Sequence, residues 1–293
     1  MTKRRKRECA FNYTGSKRQF LPEILSVAKD YIDHDLKVLD MFCGGGSLST
    51  SLPINWKVAA NDIESRVVDL HKYFQQALIN REGDIEYVFD AIKKHCHSHV
   101  KDNKDEKGYE DLKTAHNINM RNDNTFPVDL YALLCASNSN RLRWNSSGEW
   151  NLKFGKRYFN PSMQKSLLGY LERMAERDIT FKSESFRTID CKGYDIVIID
   201  PPYSYDGKST AVYNENGGWQ YKDMIDTLFL CDKLDSEGKK FIYFNELITK
   251  GEPNTSLMSW ANSYKTIYLD SDINESSANR TNKKSVEVMI HNF

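Results

Sequence analysis

The sequence predicts an α/β fold with a mainly parallel sheet. Short apolar runs typical of strands end near Asp40, Asp62 and Asp200, each at a turn of polar residues or glycines. Segments with apolar residues at helical spacing separate these runs. A chain that alternates strands with helices forms parallel strand pairs, because each helix crosses back over the sheet. Such sheets bind ligands at the carboxyl ends of their strands, so we expect a site at these turns.

The first half of the chain is expected to be largely helical. A helix is predicted over residues 18–32. Its apolar stripe consists of Leu21, Ile24, Leu25, Ala28 and Ile32. Pro22 fits this helix only in the first turn, where a missing N–H costs no hydrogen bond. Further helices are predicted after Asp62 and across 84–136, with a charged connection at 101–108.

The second half is expected to contain most of the strands. Residues 138–158 are rich in Asn, Ser and Gly, and Asn145-Ser146-Ser147-Gly148 is typical of a turn between two short strands. A helix is predicted over 161–174. The remaining predicted strands lie at 180–182, 196–199, 241–244, 265–269 and 285–290.

A glycine-rich turn follows the first predicted strand. Gly44, Gly45 and Gly46 allow positive φ and a close approach of the backbone to a ligand. The spacing is not that of the dinucleotide fingerprint, and no Gly-Lys-Ser/Thr follows as in a phosphate loop. Asp62 lies 22 residues after Asp40, a placement that suits binding of ribose hydroxyls. For the three glycines taken alone, a turn without a ligand is the alternative.

The segment Asp200-Pro201-Pro202-Tyr203 follows the apolar run at 194–199. The two prolines fix their φ angles and lack N–H donors, so the carbonyls there accept hydrogen bonds without competing donors. This arrangement suits the capture of a planar amino group. Asp200 Oδ and the Pro201 carbonyl would each accept one amino hydrogen, while Tyr203 would cover the ring face. The alternatives are a polar turn for the segment and a core aromatic for Tyr203.

Positive charge is concentrated in two parts of a chain whose net charge is zero. Residues 139–165 carry six basic side chains and one acidic side chain, Glu149. The six are Arg141, Arg143, Lys153, Lys156, Arg157 and Lys165. A patch of this kind supplies phosphate contacts to a nucleic acid. The second concentration, residues 3–7, fits a DNA-binding arm and a solubilising tail equally well.

The composition is that of an ordinary globular enzyme. With 293 residues and 40% hydrophobic content, the chain can bury a large core. No apolar run approaches the ~20 residues that span a bilayer, and no apolar signal segment opens the chain. We therefore expect a cytoplasmic protein with no membrane contact.

No metal site is expected. The six cysteines form no C-x-x-C pair, which argues against a disulfide framework and a zinc site. The tract His95-Cys96-His97-Ser98-His99 contains ligand-type residues, but the sequence offers no partner cluster elsewhere. A solvated helix end is the preferred interpretation of this tract.

Together the motifs resemble the Dam-type family of DNA adenine N6-methyltransferases, including its phage members. The similarity covers nearly the whole chain. Its order, with the cofactor loop first and Asp-Pro-Pro-Tyr last, is similar to that of the alpha class. The matching segments are Tyr13-Thr14-Gly15-Ser16-Lys17, the turn from Asp40 to Gly46, Asn61-Asp62, a hairpin region over 137–157, and Asp200-Pro201-Pro202-Tyr203.

The resemblance implies a Rossmann-like S-adenosylmethionine-dependent methyltransferase sheet with an inserted helical and β-hairpin DNA-recognition subdomain. The two parts of the catalytic domain would be residues 8–62 and 176–293, and the insertion 63–175. The implied reaction transfers a methyl group from S-adenosylmethionine to the N6 amino group of adenine in duplex DNA, after base flipping. GATC is the usual target of the family.

The resemblance also implies residue roles. The catalytic set is Asp200, Pro201, Pro202 and Tyr203. The cofactor-binding set is Tyr13, Gly15, Lys17, Asp40, Phe42, Gly44, Gly45, Gly46, Asp62, Phe186 and Asp200. The DNA-binding set is Arg141, Arg143, Asn145, Lys153, Lys156 and Arg157. Arg157 matches a guanine-reading arginine, with a phosphate contact as the alternative. Glu184-Ser185-Phe186 lacks the family's aspartate before the aromatic, which leaves the hydrogen bonding of the cofactor adenine open.

Other activities stay open. Methylation of RNA or of a protein glutamine uses a similar tetrapeptide, usually with Asn in first place. A DNA-binding relative without catalysis is a further alternative, against which the intact motifs argue. Cytosine-C5 methylation is disfavoured because the chain has no Pro-Cys pair. A cognate restriction endonuclease, the oligomeric state, and a bacterial or phage-infected host are left open.

Overall fold

A computed structural model describes residues 9–11, 15–122, 126–139, 142–205, 208–209, 218–249, 251–269 and 285–293. Two predicted site residues, Tyr13 and Arg141, lie outside these ranges, as does the basic run at 3–7. The chain divides into two compact units. The first unit comprises Met1–Leu21 and Cys43–Ile189, and the second comprises Pro22–Phe42 and Asp190–Phe293.

The described residues contain eight α-helices. They are α1 (Leu21–Val27), α2 (Ser65–Ile79), α3 (Ile85–His99), α4 (Glu106–Arg121), α5 (Pro127–Ala136), α6 (Pro161–Ala175), α7 (Tyr221–Ser236) and α8 (Thr255–Ala261). The helix predicted over 18–32 is replaced by α1 between two 3-10 turns, because Pro22 must lie in a first turn. None of the described helices has the length and apolar content needed to span a membrane.

The described residues also form ten β-strands. They are β1 (Lys37–Asp40), β2 (Lys57–Asn61), β3 (Ile179–Lys182), β4 (Ile196–Ile199), β5 (Ser204–Tyr205), β6 (Lys208–Ser209), β7 (Lys240–Thr249), β8 (Glu252–Pro253), β9 (Lys265–Leu269) and β10 (Val286–His291). Every strand predicted outside 138–158 is present. β7 continues beyond the predicted Phe244, because β10 pairs with it as far as Ile248.

In the first unit, α5 is the central helix. Its residues from Val128 to Ala136 are all buried, and α2, α3 and α4 pack against it. An apolar sequence suits a helix that is covered on all sides, and Asp129 is the one charged residue of α5. β2 and β3 form a parallel pair with Val58 opposite Ile179, and α2 packs against β3.

The segment at 138–158 contains two isolated antiparallel bridges instead of two regular strands. Ser137 pairs with Phe154, and Trp144 pairs with Trp150. The indole rings of Trp144 and Trp150 meet edge to face, with centroids 5.9 Å apart. Tyr109 of α4 accepts a hydrogen bond from Trp150 Nε1 at 3.0 Å. Packing against α4 therefore supports this segment in place of a continuous strand ladder.

The predicted turn inside this segment is present and is built by Asn145. Its side-chain oxygen accepts hydrogen bonds from the N–H groups of Ser147 and Glu149 at 3.0 and 2.9 Å. Asn117 of α4 exchanges two hydrogen bonds with the backbone of Trp150, at 2.8 and 3.0 Å. An asparagine that bonds its own following backbone is a common way to close a tight turn.

In the second unit, β1, β4, β7, β10 and β9 are paired in that order, β8 pairs with β7, and β5 pairs with β6. β1, β4 and β7 are parallel, whereas β10 is antiparallel to both β7 and β9. All of β4 is buried, as its β-branched sequence predicts. α7 and α8 pack against β7. Asp40 lies opposite Ile198, so β1 and β4 end at the same edge.

Candidate active site and nucleic-acid interface

In the first unit, the end of β2 holds the glycine turn. Gly44 and Gly46 have φ angles of 46° and 66°, which favour glycine. The Gly44 N–H donates to Asp62 Oδ2 at 2.9 Å, and the Cys43 N–H donates to the Asn61 carbonyl at 2.7 Å. The two polar residues that end β2 therefore fix the backbone of the turn.

A buried histidine of α2, which was not predicted from the sequence, supports the same turn. His71 Nε2 donates to the Gly44 carbonyl at 2.8 Å, and Nδ1 accepts from the Tyr170 hydroxyl of α6 at 2.7 Å. These roles follow because a carbonyl oxygen can only accept. The Phe181 ring stacks on the imidazole with centroids 5.0 Å apart. Burial lowers the pKa of His71 to about 4, because the imidazolium would lose its hydration.

The N-terminal motif lies beside the glycine turn within the first unit. The hydroxyls of Ser16 and Ser47 are 2.5 Å apart. Lys17 is buried, and its Nζ donates to the Gly15 carbonyl at 2.9 Å. Gly15 has a φ of 87°, so the predicted glycine again occupies a left-handed position. Burial of an ammonium group is tolerable only with polar or anionic partners, which suits contact with a ligand carboxylate.

Asp62 is a buried carboxylate that two backbone N–H groups hold in place. Its Oδ1 accepts from the Glu64 N–H at 3.0 Å, and its Oδ2 accepts from Gly44. Burial raises the pKa of Asp62 to about 6, although the backbone hydrogen bonds act in the opposite direction. A carboxylate oxygen has two lone pairs, so both oxygens can still accept from a diol.

Phe186 is placed by the residue that precedes Asp62. Asn61 exchanges two hydrogen bonds of 2.9 Å with the backbone of Glu184, which sets the path of the chain after β3. Phe186 is half-buried, and the guanidinium carbon of Arg187 lies 4.4 Å from its ring centroid. Asn61 therefore connects the segment that carries Phe186 with its own neighbour Asp62, within the first unit.

In the second unit, the Asp-Pro-Pro-Tyr segment begins where β4 ends. Asp40 ends the adjacent parallel strand β1, and the Met41 N–H donates to the Ile198 carbonyl at 2.9 Å. Asp40 is buried and Asp200 is half-buried. The structure therefore brings a residue predicted to bind cofactor and the predicted catalytic carboxylate to one edge of one sheet.

A buried carboxylate of β10 holds Tyr203. The Tyr203 hydroxyl donates to Glu287 Oε1 at 2.8 Å and lies 3.5 Å from Asp200 Oδ1. Glu287 is 1% exposed and lies opposite Glu246 of β7. Burial, with the charges of Glu287 and Asp200, raises the pKa of Tyr203 well above its usual value. The phenol therefore stays a proton donor.

Glu287 was not predicted from the sequence, although a signal was present. It lies between Val286 and Val288 in the strand predicted over 285–290, and a buried carboxylate needs a partner. Two further contacts order the surroundings of the tetrapeptide. Phe42 meets Trp219 edge to face with centroids 5.7 Å apart, and Asn254 Nδ2 donates to the Ser204 carbonyl at 3.1 Å.

The described residues of the predicted DNA interface lie in the bridged segment. Exposed members are Arg143, Asn145, Lys153 and Lys156, and Arg157 is half-buried. Glu149, the one acidic residue of this window, is paired with Arg121 of α4. The charge of Glu149 is therefore balanced by Arg121 and does not offset the positive charge of the basic side chains. The Asn145 amide also donates to Glu149 Oε2 at 3.0 Å, so it serves the turn.

Gly155 ties the basic segment to α5. Its N–H donates to the Ala136 carbonyl at 2.8 Å, and the Asn138 N–H donates to the Lys153 carbonyl at 2.9 Å. A Cβ at position 155 would lie 2.2 Å from the Ser137 carbonyl oxygen, so no other residue fits without a backbone shift. The basic segment is therefore anchored by backbone hydrogen bonds to the end of α5.

The family is decided by a match over most of the chain. Residues 13–282 match the model of the D12 class N6 adenine-specific DNA methyltransferases. The chain belongs to this family. The predicted methyltransferase relationship is confirmed at that level, and so is the Rossmann-like α/β fold. The narrower Dam-type or phage assignment stays a prediction.

Similar D12-related proteins are longer than this chain. Type II methyltransferase M.FokI of Planomicrobium okeanokoites is 29% identical over 96% of this chain and 42% of its own length. Modification methylase StsI of Streptococcus sanguinis gives the same three values. Modification methylase LlaI of Lactococcus lactis subsp. lactis is 26% identical, over 85% of this chain and 38% of that protein. The chain thus spans less than half of these relatives.

A solved structure gives only a loose superposition on this D12 family member. It is a putative rRNA methylase from Clostridium thermocellum, with a TM-score of 0.35 and 10% sequence identity. The match covers 93% of this chain and 97% of the other. A likeness at this level carries no argument about activity.

Glu287 is expected to support the Asp-Pro-Pro-Tyr segment through its hydrogen bond with Tyr203. Glu287→Gln keeps the size of the side chain but removes its charge, so the Tyr203 hydrogen bond loses its ionic partner. A charge-assisted hydrogen bond contributes roughly 1.5–3 kcal/mol, so we expect about a tenfold or larger fall in kcat for methyl transfer. In a Tyr203→Phe background, Glu287→Gln should have little further effect. Full additivity, or an equal loss in the exposed control Glu252→Gln, would contradict this role.

Proposed function

We propose that the chain transfers a methyl group from S-adenosylmethionine to the N6 amino group of adenine in duplex DNA. The observation that carries the proposal is the position of Asp200 beside the Asp40 end of β1, in a member of the D12 family. The carboxyl edge of a parallel sheet is where ligands bind in such folds.

The residues present fit S-adenosylmethionine in their chemistry. In the first unit, Asp62 offers two carboxylate oxygens to a ribose diol, and Lys17 offers an ammonium group to a carboxylate. The glycine turn exposes backbone without side chains. In the second unit, Asp40 ends β1 and Phe42 lies two residues after it. When bound, the cofactor supplies an electrophilic methyl group on a sulfonium.

Asp200 and Pro201 would activate the adenine nitrogen. The amino lone pair is delocalised into the ring, so the nitrogen must become more tetrahedral to react. Asp200 Oδ and the Pro201 carbonyl, by accepting the two amino hydrogens, favour that geometry and the positive charge that develops. The nitrogen loses its proton after it has gained the methyl group. Tyr203 would stack on the base, with its hydroxyl anchored by Glu287.

We assign target recognition to residues 63–175 and catalysis to 8–62 with 176–293. The adenine must leave the duplex to reach Asp200, which costs a few kcal/mol. The basic segment with Arg143, Lys153 and Arg157 supplies contacts to DNA, and GATC is the first target to test. Two relatives are named modification methylases, which supports a paired endonuclease. We place the reaction in the cytoplasm of a bacterial or phage-infected cell.

The decisive experiment gives the purified protein plasmid DNA with S-adenosylmethionine and maps modified adenines by single-molecule sequencing. N6-methyladenine at a defined sequence is the expected result. Structured RNA and a glutamine-containing peptide are tested in parallel. Transfer to RNA or peptide alone would overturn the proposal, and so would the absence of transfer to DNA by a chain that binds the cofactor.

Arg157→Ala is expected to relax sequence choice more than it weakens binding to unrelated DNA. A bidentate arginine–guanine contact is worth about 1–3 kcal/mol of discrimination, which is roughly a 5- to 150-fold change in the ratio of kcat/KM values for two sequences. The control is Lys153→Ala, an exposed change that should weaken binding to all sequences alike. If Arg157→Ala also weakens all sequences equally, Arg157 is a phosphate contact.

A further inference from the structure

Three side chains of the types that ligate metal ions meet in the first unit, and none of them belongs to the proposed cofactor or DNA contacts. His95 and His99 lie one turn apart on α3, and Asp129 lies in the first turn of α5. One ligand atom from each lies within 4.8 Å of the other two. His95 Nε2 is 2.8 Å from Asp129 Oδ1, and the two imidazole centroids are 4.7 Å apart.

We propose that His95, His99 and Asp129 bind a divalent transition-metal ion of the Zn²⁺ class and thereby join α3 to α5. Two imidazoles and one carboxylate form a donor set typical of zinc with a fourth open position. Histidines four residues apart project from the same helix face, so one ion can bind both. Bonds of about 2 Å place tetrahedral ligand atoms roughly 3.3 Å apart, so the three side chains would have to close in from separations of up to 4.8 Å.

The backbones that carry the ligands are fixed, whereas two of the side chains remain accessible. Asp129 belongs to the buried helix α5. A Cβ on Gly108 would lie 2.1 Å from the His99 carbonyl oxygen, so α4 closes tightly on the end of α3. The imidazoles of His95 and His99 are only half-buried, which leaves a path for an ion.

The sequence could not show this cluster. The tract at 95–99 offers two aligned histidines, but its carboxylate partner comes from another helix, which only the folded chain brings near. α5 continues into Ser137, and Gly155 binds the Ala136 carbonyl. A metal between α3 and α5 thus stiffens the base of the DNA-contacting segment, a role in positioning and not in methyl transfer.

The test uses the untagged, full-length protein after removal of metals with a chelator. Co²⁺ is titrated as the probe, its visible d–d absorption is recorded, and Zn²⁺ is then added in competition. We expect one equivalent of Co²⁺ per chain, displaced by Zn²⁺, and a higher thermal midpoint in Zn²⁺. His99→Ala and Asp129→Asn should each weaken Co²⁺ binding by about tenfold or more, at least as much as loss of an outer-sphere partner costs.

His97→Ala is the matched control, because His97 lies on the same helix and its Nε2 contacts the Phe159 carbonyl at 3.0 Å. It should bind Co²⁺ as the unaltered chain does. Circular dichroism of each variant shows that it is folded. Three results overturn the proposal: no saturable binding, equal losses in His97→Ala and His99→Ala, or a thermal midpoint that Zn²⁺ raises equally in folded His99→Ala.

Discussion

Asp200→Ala is expected to abolish methyl transfer to adenine while S-adenosylmethionine binds with nearly unchanged affinity. In the proposed mechanism, the carboxylate would accept an amino hydrogen from the base and would face the positive charge that develops on the nitrogen. Removal of one preorganised polar group of this kind costs on the order of 10²–10³ in rate. In the same proposal Asp200 would also orient the nucleophile, so the loss should exceed that range. Single-turnover transfer of a labelled methyl group to duplex DNA, with equilibrium binding of the cofactor, measures both quantities.

Asp195→Ala is a matched control for this change. Asp195 precedes the opposite end of β4, where its Oδ2 accepts from the Lys37 N–H at 2.8 Å. It should lower stability moderately and leave the rate of transfer per folded molecule intact. Measurable turnover in Asp200→Ala would show that Asp200 does not activate the amine. A parallel loss of cofactor affinity would instead assign Asp200 to cofactor binding.

Much of the fold could be predicted because it is encoded in local patterns. The β-branched run Ile196–Ile199 is typical of a buried strand. The sequence of α5 is apolar apart from a few residues such as Asp129, as expected for a buried helix. The helix over 18–32 and the hairpin over 138–158 were less regular than predicted. In the hairpin, Asn117 of a distant helix takes backbone bonds that a strand ladder would otherwise use.

The candidate site likewise contains residues that the sequence predicted and residues that only the structure shows. Asp40, Asp62 and Asp200 could be found from the sequence because each directly follows or ends a strand. Their supporting residues could not. His71 reaches Gly44 across 27 residues of sequence, and Glu287 reaches Tyr203 across 84. Such contacts depend on how the elements pack, and a single sequence carries no local signal of that packing.

The supporting residue with the largest expected effect on stability is His71. Its pKa is about 4 in the folded chain, below the ordinary 6.5, because of burial. Between pH 6.5 and 4 the unfolded chain therefore gains a proton at this position that the folded chain does not. Stability from His71 is complete above pH 6.5 and is lost as the pH falls toward 4. A difference of this size corresponds to about 3 kcal/mol.

Asp62, which contacts the same glycine turn, acts with the opposite sign. Its pKa is raised to about 6 from 3.8, so the folded chain takes up a proton before the unfolded chain does as the pH falls. Its contribution to stability is complete below pH 3.8 and is lost as the pH rises through 6. The two groups therefore nearly cancel between pH 4 and 6, and removal of one should reveal the other.

His71→Gln is accordingly expected to change how the free energy of unfolding varies with pH more than it changes the free energy of unfolding at pH 7. The amide can still donate to the Gly44 carbonyl, but it does not titrate. The free energy of unfolding of the variant, relative to the unaltered chain, should rise by about 3 kcal/mol as the pH is lowered from 6.5 to 4. Urea unfolding at a series of pH values measures this difference, in which the other titrating groups cancel.

The exposed Thr114→Ala, which removes no titrating group, is the control, and its relative stability should not vary with pH. His71→Gln combined with Asp62→Asn should bring back a weak dependence, since neither group then titrates. A relative stability of His71→Gln that stays constant from pH 6.5 to 4 would mean that His71 is protonated as readily in the folded chain as in the unfolded one. The hydrogen bond from Nε2 to Gly44 could then persist, but the imidazolium could not accept from Tyr170 at Nδ1, and the neutral bridge under the glycine turn would be wrong.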